Sequence, residues 1–266
     1  MKLLEVVKSL PLAKRKFLVE NVLGMSFNSF LTQDQKHLES LLQLQEFREK
    51  CELLSEGYPF DYLFGVSDFY NMNLKVDKTV LIPRKETEIL IEVAISIIKN
   101  QSAKIALDLG TGSANIGLAI GRSFPALKVV SLDVSDVFDV ARFNKHKYNV
   151  SNINFVMADL LNCFKKDSFD VIISNPPYVE TAYLESSKSL KFEPRIALDG
   201  GEDGLFLSRK IIKQSFYNLK TGGFLILELG LGQIDKLISE VGEYKLVKVC
   251  KDYSGIDRIL VLKKES

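Results

Sequence analysis

Phe169-Asp170-Val171-Ile172-Ile173-Ser174-Asn175-Pro176-Pro177-Tyr178 is an apolar run, rich in β-branched residues, that halts at two consecutive prolines. Such a run reads as a strand buried on both faces, as in a parallel sheet. Each proline fixes its own φ and confines the residue before it to extended conformations. Asn175 and Pro176 are therefore held nearly rigid at the carboxyl end of a central strand, where open α/β sheets bind ligands. A neutral carboxamide, a carbonyl with no proline N–H beside it, and an aromatic ring share one stiff mount.

Working outward, strands and helices alternate from residue 104 onward. Strands are expected near 104–109, 128–133, 153–156, 169–174, 224–229, 244–250 and 258–262. Helices start after Ala114, Ser135, Asp203 and Gly232. That alternation predicts an α/β fold with a doubly wound, Rossmann-like parallel sheet. The last two strands are separated only by Asp252–Asp257, too short for a helical crossover, so the last strand is expected to be antiparallel.

Towards the amino terminus the pattern changes. Residues 1–66 read as a helical domain. Thr32-Gln33-Asp34-Gln35 has the form of a capping box, followed by Leu38, Leu41, Leu42, Leu44, Phe47, Cys51 and Leu54 mostly at steps of three and four. This domain either presents a partner protein or is a cap that only packs, and the sequence slightly favours the cap. His37 falls on its polar side. Tyr70–Val76 alternates like a half-exposed strand, and a turn near Asp77-Lys78 leads into Thr79–Pro83. Residues 67–84 are therefore read as a β-hairpin linker, and 85–266 as the catalytic domain.

Composition excludes several classes. The net charge is +1, which gives no global pull towards nucleic acid or membrane. The three cysteines, Cys51, Cys163 and Cys250, lack any CxxC spacing and suit a reducing compartment. The amino terminus is charged too early for a signal peptide, and no stretch approaches the ~20 apolar residues of a membrane span. A soluble, cytoplasmic protein is expected, with no metal-ligand cluster. His146, between two lysines, reads as surface.

Ile105–Asn115 is a strand, a glycine turn and a helix start. Gly110 and Gly112 let backbone N–H groups approach a ligand, and the helix N-terminus favours its negative group. A dinucleotide fits poorly, because G-x-G-x-x-G needs glycine at Asn115. S-adenosylmethionine, which carries a carboxylate and an ammonium, better suits Asp108 before Gly110-Thr111-Gly112-Ser113-Ala114. Alone, the turn reads equally well as a tight strand–helix connection. Asp133, ~20 residues on, ends the second strand where a carboxylate accepts ribose hydroxyls. Asp159 follows the third strand, placed to bond the adenine amino group, with Leu160 over the ring. Singly each acid is more often a cap or a solvated residue; as a series at successive strand ends they favour adenosine binding.

Methyl transfer to an amide needs its delocalised lone pair aimed in line at the methyl carbon, so positioning supplies much of the effect. The Asn175 side-chain oxygen and the Pro176 carbonyl are expected to accept the two N–H bonds of a planar target amide, with Pro177 beside it and Tyr178 packed on its face. Asn175 orients and polarises; it is not a base. The competing reading is a strand-terminating Pro-Pro turn.

These residues resemble a family. Asn175-Pro176-Pro177-Tyr178 is similar to the motif of methyltransferases acting on planar nitrogens. Together with Leu81–Glu88, Asp108–Gly112, Phe192–Leu205 and Gly222–Gly230, it resembles the protein-glutamine N5-methyltransferases of peptide chain release factors across almost the entire chain. The resemblance implies a class I release factor as partner and the glutamine of its Gly-Gly-Gln loop as target. It also implies S-adenosyl-L-methionine as donor, S-adenosyl-L-homocysteine as product, and a helical domain that helps hold the factor. A monomer without a stable nucleic-acid or membrane partner is expected. Ala114 stands where the family usually has a third glycine, and Asp61 where glutamine is common. The rivals are a ribosomal-protein glutamine methyltransferase, an adenine methyltransferase, which would show a basic target-recognition region, and a cofactor-binding scaffold without turnover.

Overall fold

The computed structural model describes residues 3–33, 40, 44–187 and 189–265. The capping box at Thr32–Gln35, the helical run through Leu38, Leu41 and Leu42, and His37 lie outside them in whole or part. The chain divides into two compact units, Met1–Phe64 and Gly65–Ser266.

The first unit contains helices Leu3–Ser9, Leu12–Leu23, Phe27–Leu31, Gln45–Ser55 and Phe60–Phe64. Gly24 ends the second in the left-handed region at φ 64°, and the Ser26 hydroxyl caps the third by accepting from the Ser29 N–H at 3.1 Å. Val6, Val7, Leu18, Phe47 and Cys51 form one buried cluster; Val19, Phe27 and Phe30 form another. Asp61 accepts from Lys14 Nζ at 2.7 Å within this unit.

The second unit begins with a hairpin of β1 (Val66–Phe69) and β2 (Met72–Lys75). This corrects the expected hairpin. Its turn is Tyr70-Asn71, both at positive φ (46° and 55°), the mirror-image turn that matches strand twist. No glycine marks it. The expected turn at Asp77 exists, with Thr79 N–H donating to Asp77 Oδ1 at 2.9 Å, but Thr79–Pro83 then runs as irregular chain. The buried Asn144 side chain pins β2 by exchanging hydrogen bonds with both backbone groups of Lys75, at 2.7 and 3.0 Å.

The main sheet has seven strands: β3 (Ile105–Leu109), β4 (Lys128–Asp133), β5 (Ile153–Met157), β6 (Phe169–Ser174), β7 (Leu219–Glu228), β8 (Lys245–Lys251) and β9 (Asp257–Lys263). Their order is β5-β4-β3-β6-β7-β9-β8. The first five are parallel, and β9 enters antiparallel between β7 and β8, as its short connection requires. β7 starts earlier than expected: Leu219 pairs with Phe169, the register slips, and pairing resumes at Val171 with Phe224. Gly222 (φ 82°) and Gly223 sit in the slip, where a Cβ on Gly223 would lie 2.8 Å from Lys220 O.

Fully buried Leu107, Ile172, Leu225, Leu227 and Leu260 give the sheet its core. Helices Asn115–Ser123, Phe138–Lys147, Phe206–Asn218 and Gln233–Ile238 follow the strands, and Glu86–Gln101 precedes them. Gly117 allows the first to approach closely, since a Cβ there would lie 2.5 Å from Ser131 Oγ and 2.9 Å from Asp108 Oδ2. Among the described residues no helix is long and apolar enough to cross a membrane.

Candidate active site

A cavity of about 320 Å³ opens at the carboxyl ends of β3, β4, β5 and β6, a size typical of small-molecule sites. Gly110, Gly112, Asp133, Asp159, Leu160, Asn175, Pro176 and Pro177 all line it. So do Thr79, Val80 and Leu81 from the irregular chain after the hairpin, and Ile196 and Leu207 opposite. Among the described residues the wall holds two carboxylates and no Lys, Arg or His. That charge pattern suits a ligand that carries positive charge.

The glycine turn does less for an anion than its sequence suggests. The N–H groups of Gly110 and Thr111 donate to Leu132 O at 2.8 and 3.0 Å, and that of Gly112 to Asp133 Oδ2 at 3.0 Å. The turn therefore contributes close backbone approach rather than free donors. Asp133 Oδ1 accepts from Ser135 N–H (3.1 Å) and Ser135 Oγ (2.8 Å), which fixes the carboxylate on the wall. Leu160 is held at φ 53°, a conformation costing a branched residue ~1–2 kcal/mol. That strain is tolerated where it presents the side chain to the cavity.

Asp108, Thr111, Ser113 and Ala114 are buried behind this wall and not on it. Asp108 Oδ2 accepts from Thr111 Oγ1 (2.5 Å), Gly117 N–H (3.0 Å) and Ser131 Oγ (3.3 Å). Burial pushes its carboxyl up to about 6, against the pull of those donors and with a further push from Asp133. Asp108 thus shapes the turn. Ala114 lies at φ 64°, so its departure from glycine acts on backbone strain and not on room in the cavity.

At the end of β6, Asn175 Nδ2 donates to Thr87 Oγ1 at 3.0 Å, leaving Oδ1 as the end available to a ligand. Thr87 is buried in the first turn of Glu86–Gln101. The Tyr178 hydroxyl donates to Glu228 Oε1 at 3.2 Å, and Tyr178 does not line the cavity. Thr87 and Glu228 were given no role by the sequence reading. Both lie inside runs that carry the resemblance, Leu81–Glu88 and Gly222–Gly230, and Glu228 is also an acid inside the apolar run Phe224–Leu229.

The loop after Tyr178 is packed against Phe192–Leu205. Val179 N–H donates to Leu198 O (2.9 Å), Gly200 N–H to Val179 O (2.8 Å), and Gln233 Nε2 to Tyr178 O (2.8 Å). Glu193, almost fully buried, pairs with Arg84 and accepts from Ile82 N–H at 3.2 Å. It joins the run Leu81–Glu88 to the same loop.

The family model described as methyltransferase small domain matches residues 85–191. The release factor glutamine methyltransferase of Thermodesulfovibrio yellowstonii is 38% identical over 245 residues, covering 89% of this chain and 85% of that protein. That of Streptococcus pneumoniae is 33% identical over 255 residues, covering 92% and 89%. A solved methyltransferase from Pyrococcus furiosus superposes with a TM-score of 0.53 at 23% identity, over 82% of this chain and 99% of that one, a likeness of fold.

Proposed function

The chain belongs to the release factor glutamine methyltransferase family, and from that premise we infer that it moves a methyl group from S-adenosyl-L-methionine to the side-chain amide nitrogen of the Gly-Gly-Gln glutamine in class I release factors. The observation that carries the reading is Asn175: it stands on the cavity wall with Nδ2 committed to Thr87 and Oδ1 left to accept.

Asp133 and Asp159 would hold the adenosine end of the cofactor, Asp133 on the ribose hydroxyls and Asp159 on the base, with Leu160 against the ring. Gly110 and Gly112 would pass the backbone close to the methionine end. When bound, the cofactor supplies an electrophilic methyl carbon on sulfur. Asn175 Oδ1 and the Pro176 carbonyl would each take one N–H of the glutamine amide, and Pro177 would abut it. These contacts polarise the nitrogen and aim its lone pair. Transfer would leave S-adenosyl-L-homocysteine and a strongly acidic N-methylated amide that would shed its proton to water, so no residue of this chain would need to act as a base. Tyr178 would act by holding the loop to Glu228. The helical unit Met1–Phe64 would help hold the factor, and the work would be done in the cytoplasm, where translation terminates.

The test is transfer of radiolabelled methyl to purified release factors, with peptide mapping. Label on the Gly-Gly-Gln glutamine supports the reading. Label confined to a ribosomal protein or to adenine in nucleic acid replaces it with one of the rivals. Removing residues 1–64 should raise the KM for the factor more than the Kd for the cofactor, and unchanged kinetics would make that unit a packing cap.

A further inference from the structure

Pro176 and Pro177 carry no backbone N–H, so the middle of the Asn175–Tyr178 turn has no donor with which to tie itself down. Its place over the cavity is set by what holds its two ends. The near end is the sheet: Ser174 pairs with Leu109 and Leu227, and its hydroxyl donates to Leu109 O at 2.7 Å. At the far end the Tyr178 carbonyl accepts from Gln233 Nε2 at 2.8 Å, and Gln233 Oε1 accepts from Gly230 N–H at 2.7 Å. The Gln233 backbone N–H donates to Gly230 O at 3.2 Å, so the residue is tied to Gly230 twice. Gly230 lies just beyond the end of β7, where Leu229 N–H donates to Arg258 O at 2.9 Å. One carboxamide thus joins the end of β7 to the far end of the turn that carries Asn175.

Gln233 is buried and does not line the cavity. Its carboxamide lies in a slot between two glycines: a Cβ on Gly230 would stand 2.8 Å from Oε1, and one on Gly204 would run into Nε2. The backbone groups settle which way it faces. An amide N–H only donates and a carbonyl only accepts, so the oxygen must meet Gly230 and the NH2 must meet Tyr178. Nε2 also reaches Asp203 O, at 3.5 Å. A carboxylate of the same shape has no proton for the Tyr178 carbonyl, whereas a protonated carboxyl has one.

We propose that Gln233 is a positioning residue for methyl transfer. Its carboxamide fixes the Tyr178 carbonyl, and through the stiff proline pair it fixes where Asn175 Oδ1 and the Pro176 carbonyl meet the substrate amide. Gln233 touches neither substrate nor cofactor. The inference rests on the glutamine-methyltransferase reading given above.

The experiment is steady-state methylation of a purified release factor by the full chain from pH 6 to 9. Cofactor Kd is taken by calorimetry, and thermal unfolding at each pH checks that the chain is folded. Gln233→Met keeps the length and removes both side-chain hydrogen bonds. Its kcat should fall about tenfold or more while cofactor Kd stays within about twofold, because a misplaced orienting group costs rate and not donor affinity. Gln233→Glu keeps the shape. Its kcat relative to wild type should rise about fivefold or more from pH 9 to pH 6, as the introduced carboxyl gains a proton to donate to Tyr178 O. The same ratio for Gln233→Met should stay flat. Asp203, held by Arg209 at 2.8 Å, and Glu228, which accepts from the Tyr178 hydroxyl, are present in the wild type too, so the ratio isolates the introduced group. The proposal is overturned if Gln233→Met turns over within twofold of the wild type, or if the ratio for Gln233→Glu does not change with pH. Should Gln233→Met not fold, the Gln233→Glu profile decides alone. Failure of the wild-type chain to methylate any release factor would be a different result, overturning the assigned function instead.

Discussion

The backbone N–H of Gly112 donates to Asp133 Oδ2 at 3.0 Å across 21 residues of sequence, so the glycine turn after β3 and the acid that ends β4 form one wall. Removing that carboxylate loosens both halves. Asp133→Ala should raise the cofactor Kd about tenfold or more, since hydrogen bonds to a charged group contribute ~1.5–3 kcal/mol. The glutamine selected for methylation should stay the same. Calorimetry giving an unchanged Kd would take Asp133 out of the ribose site.

Asn175 stands on the same cavity, and the proposed function assigns it to the other substrate. Asn175→Ala should leave cofactor affinity within about twofold and lower kcat by ~10²-fold or more, the scale seen when one preorganised polar contact to the reacting group is lost. An equal loss in cofactor affinity would mean that the residue holds the donor rather than the acceptor.

The strand that ends at Asn175 was legible because two signals agree there, a β-branched apolar run and a proline pair. The position of Asp133, Asp159 and Leu160 on the cavity wall was legible from their places at successive strand ends. Asp108 was not: an acid before a glycine turn looks like a ligand-facing group, and only burial at 1% exposure reveals it as the brace behind the turn. The Tyr70-Asn71 turn was missed because it reaches positive φ without glycine. Glu228 and Thr87 were missed because what each offers is a hydrogen bond to a residue far away in sequence, Tyr178 and Asn175 respectively. No local period encodes it.

Burial is the first cause of the rise of the Glu228 carboxyl from 4.5 to about 7; Thr87, Tyr178 and Arg258 oppose it and Glu86 adds to it. With the folded value above the unfolded one, the folded state holds the proton more tightly. The resulting stability is complete below about pH 4.5 and is lost as pH rises through about 7. Asp108, raised to about 6 by burial, adds a loss of the same sign. Glu228→Gln should remove the first part and keep the second. Urea unfolding from pH 4 to 8 should show the wild type losing up to about 3 kcal/mol relative to the variant between pH 4.5 and 7, and little more above. Parallel curves would contradict the raised carboxyl.

Ala114 occupies the left-handed region at φ 64°, where glycine is free of the Cβ penalty. Ala114→Gly should relieve ~1–2 kcal/mol of strain, partly offset by the freer unfolded chain and one lost buried methyl. A net gain of up to about 1 kcal/mol is expected in urea unfolding, with cofactor Kd unchanged because the residue is not on the cavity wall. A fall in stability would show that the methyl's packing outweighs the strain.

Gly204 is where the Phe192–Leu205 loop meets the Asn175–Tyr178 turn. Its φ is +71°, and a Cβ there would run into the Tyr178 carbonyl and the Gln233 side-chain amide. Those two groups are bonded to each other at 2.8 Å, and Gln233 Oε1 accepts in turn from Gly230 N–H at 2.7 Å. None of these atoms belongs to a long free side chain, so the methyl of Gly204→Ala must displace the backbone that carries Pro176 and Pro177. Gly242 supplies the comparison: its φ is +65°, and nothing lies within 4 Å of the Cβ position. Gly242→Ala therefore carries only the backbone cost of about 1 kcal/mol and should leave kcat alone. Gly204→Ala carries that cost and the clash, and should lower kcat at least tenfold beyond any loss in Tm. Equal activity in the two variants would mean that the Asn175–Tyr178 turn holds its shape without the loop packed against it.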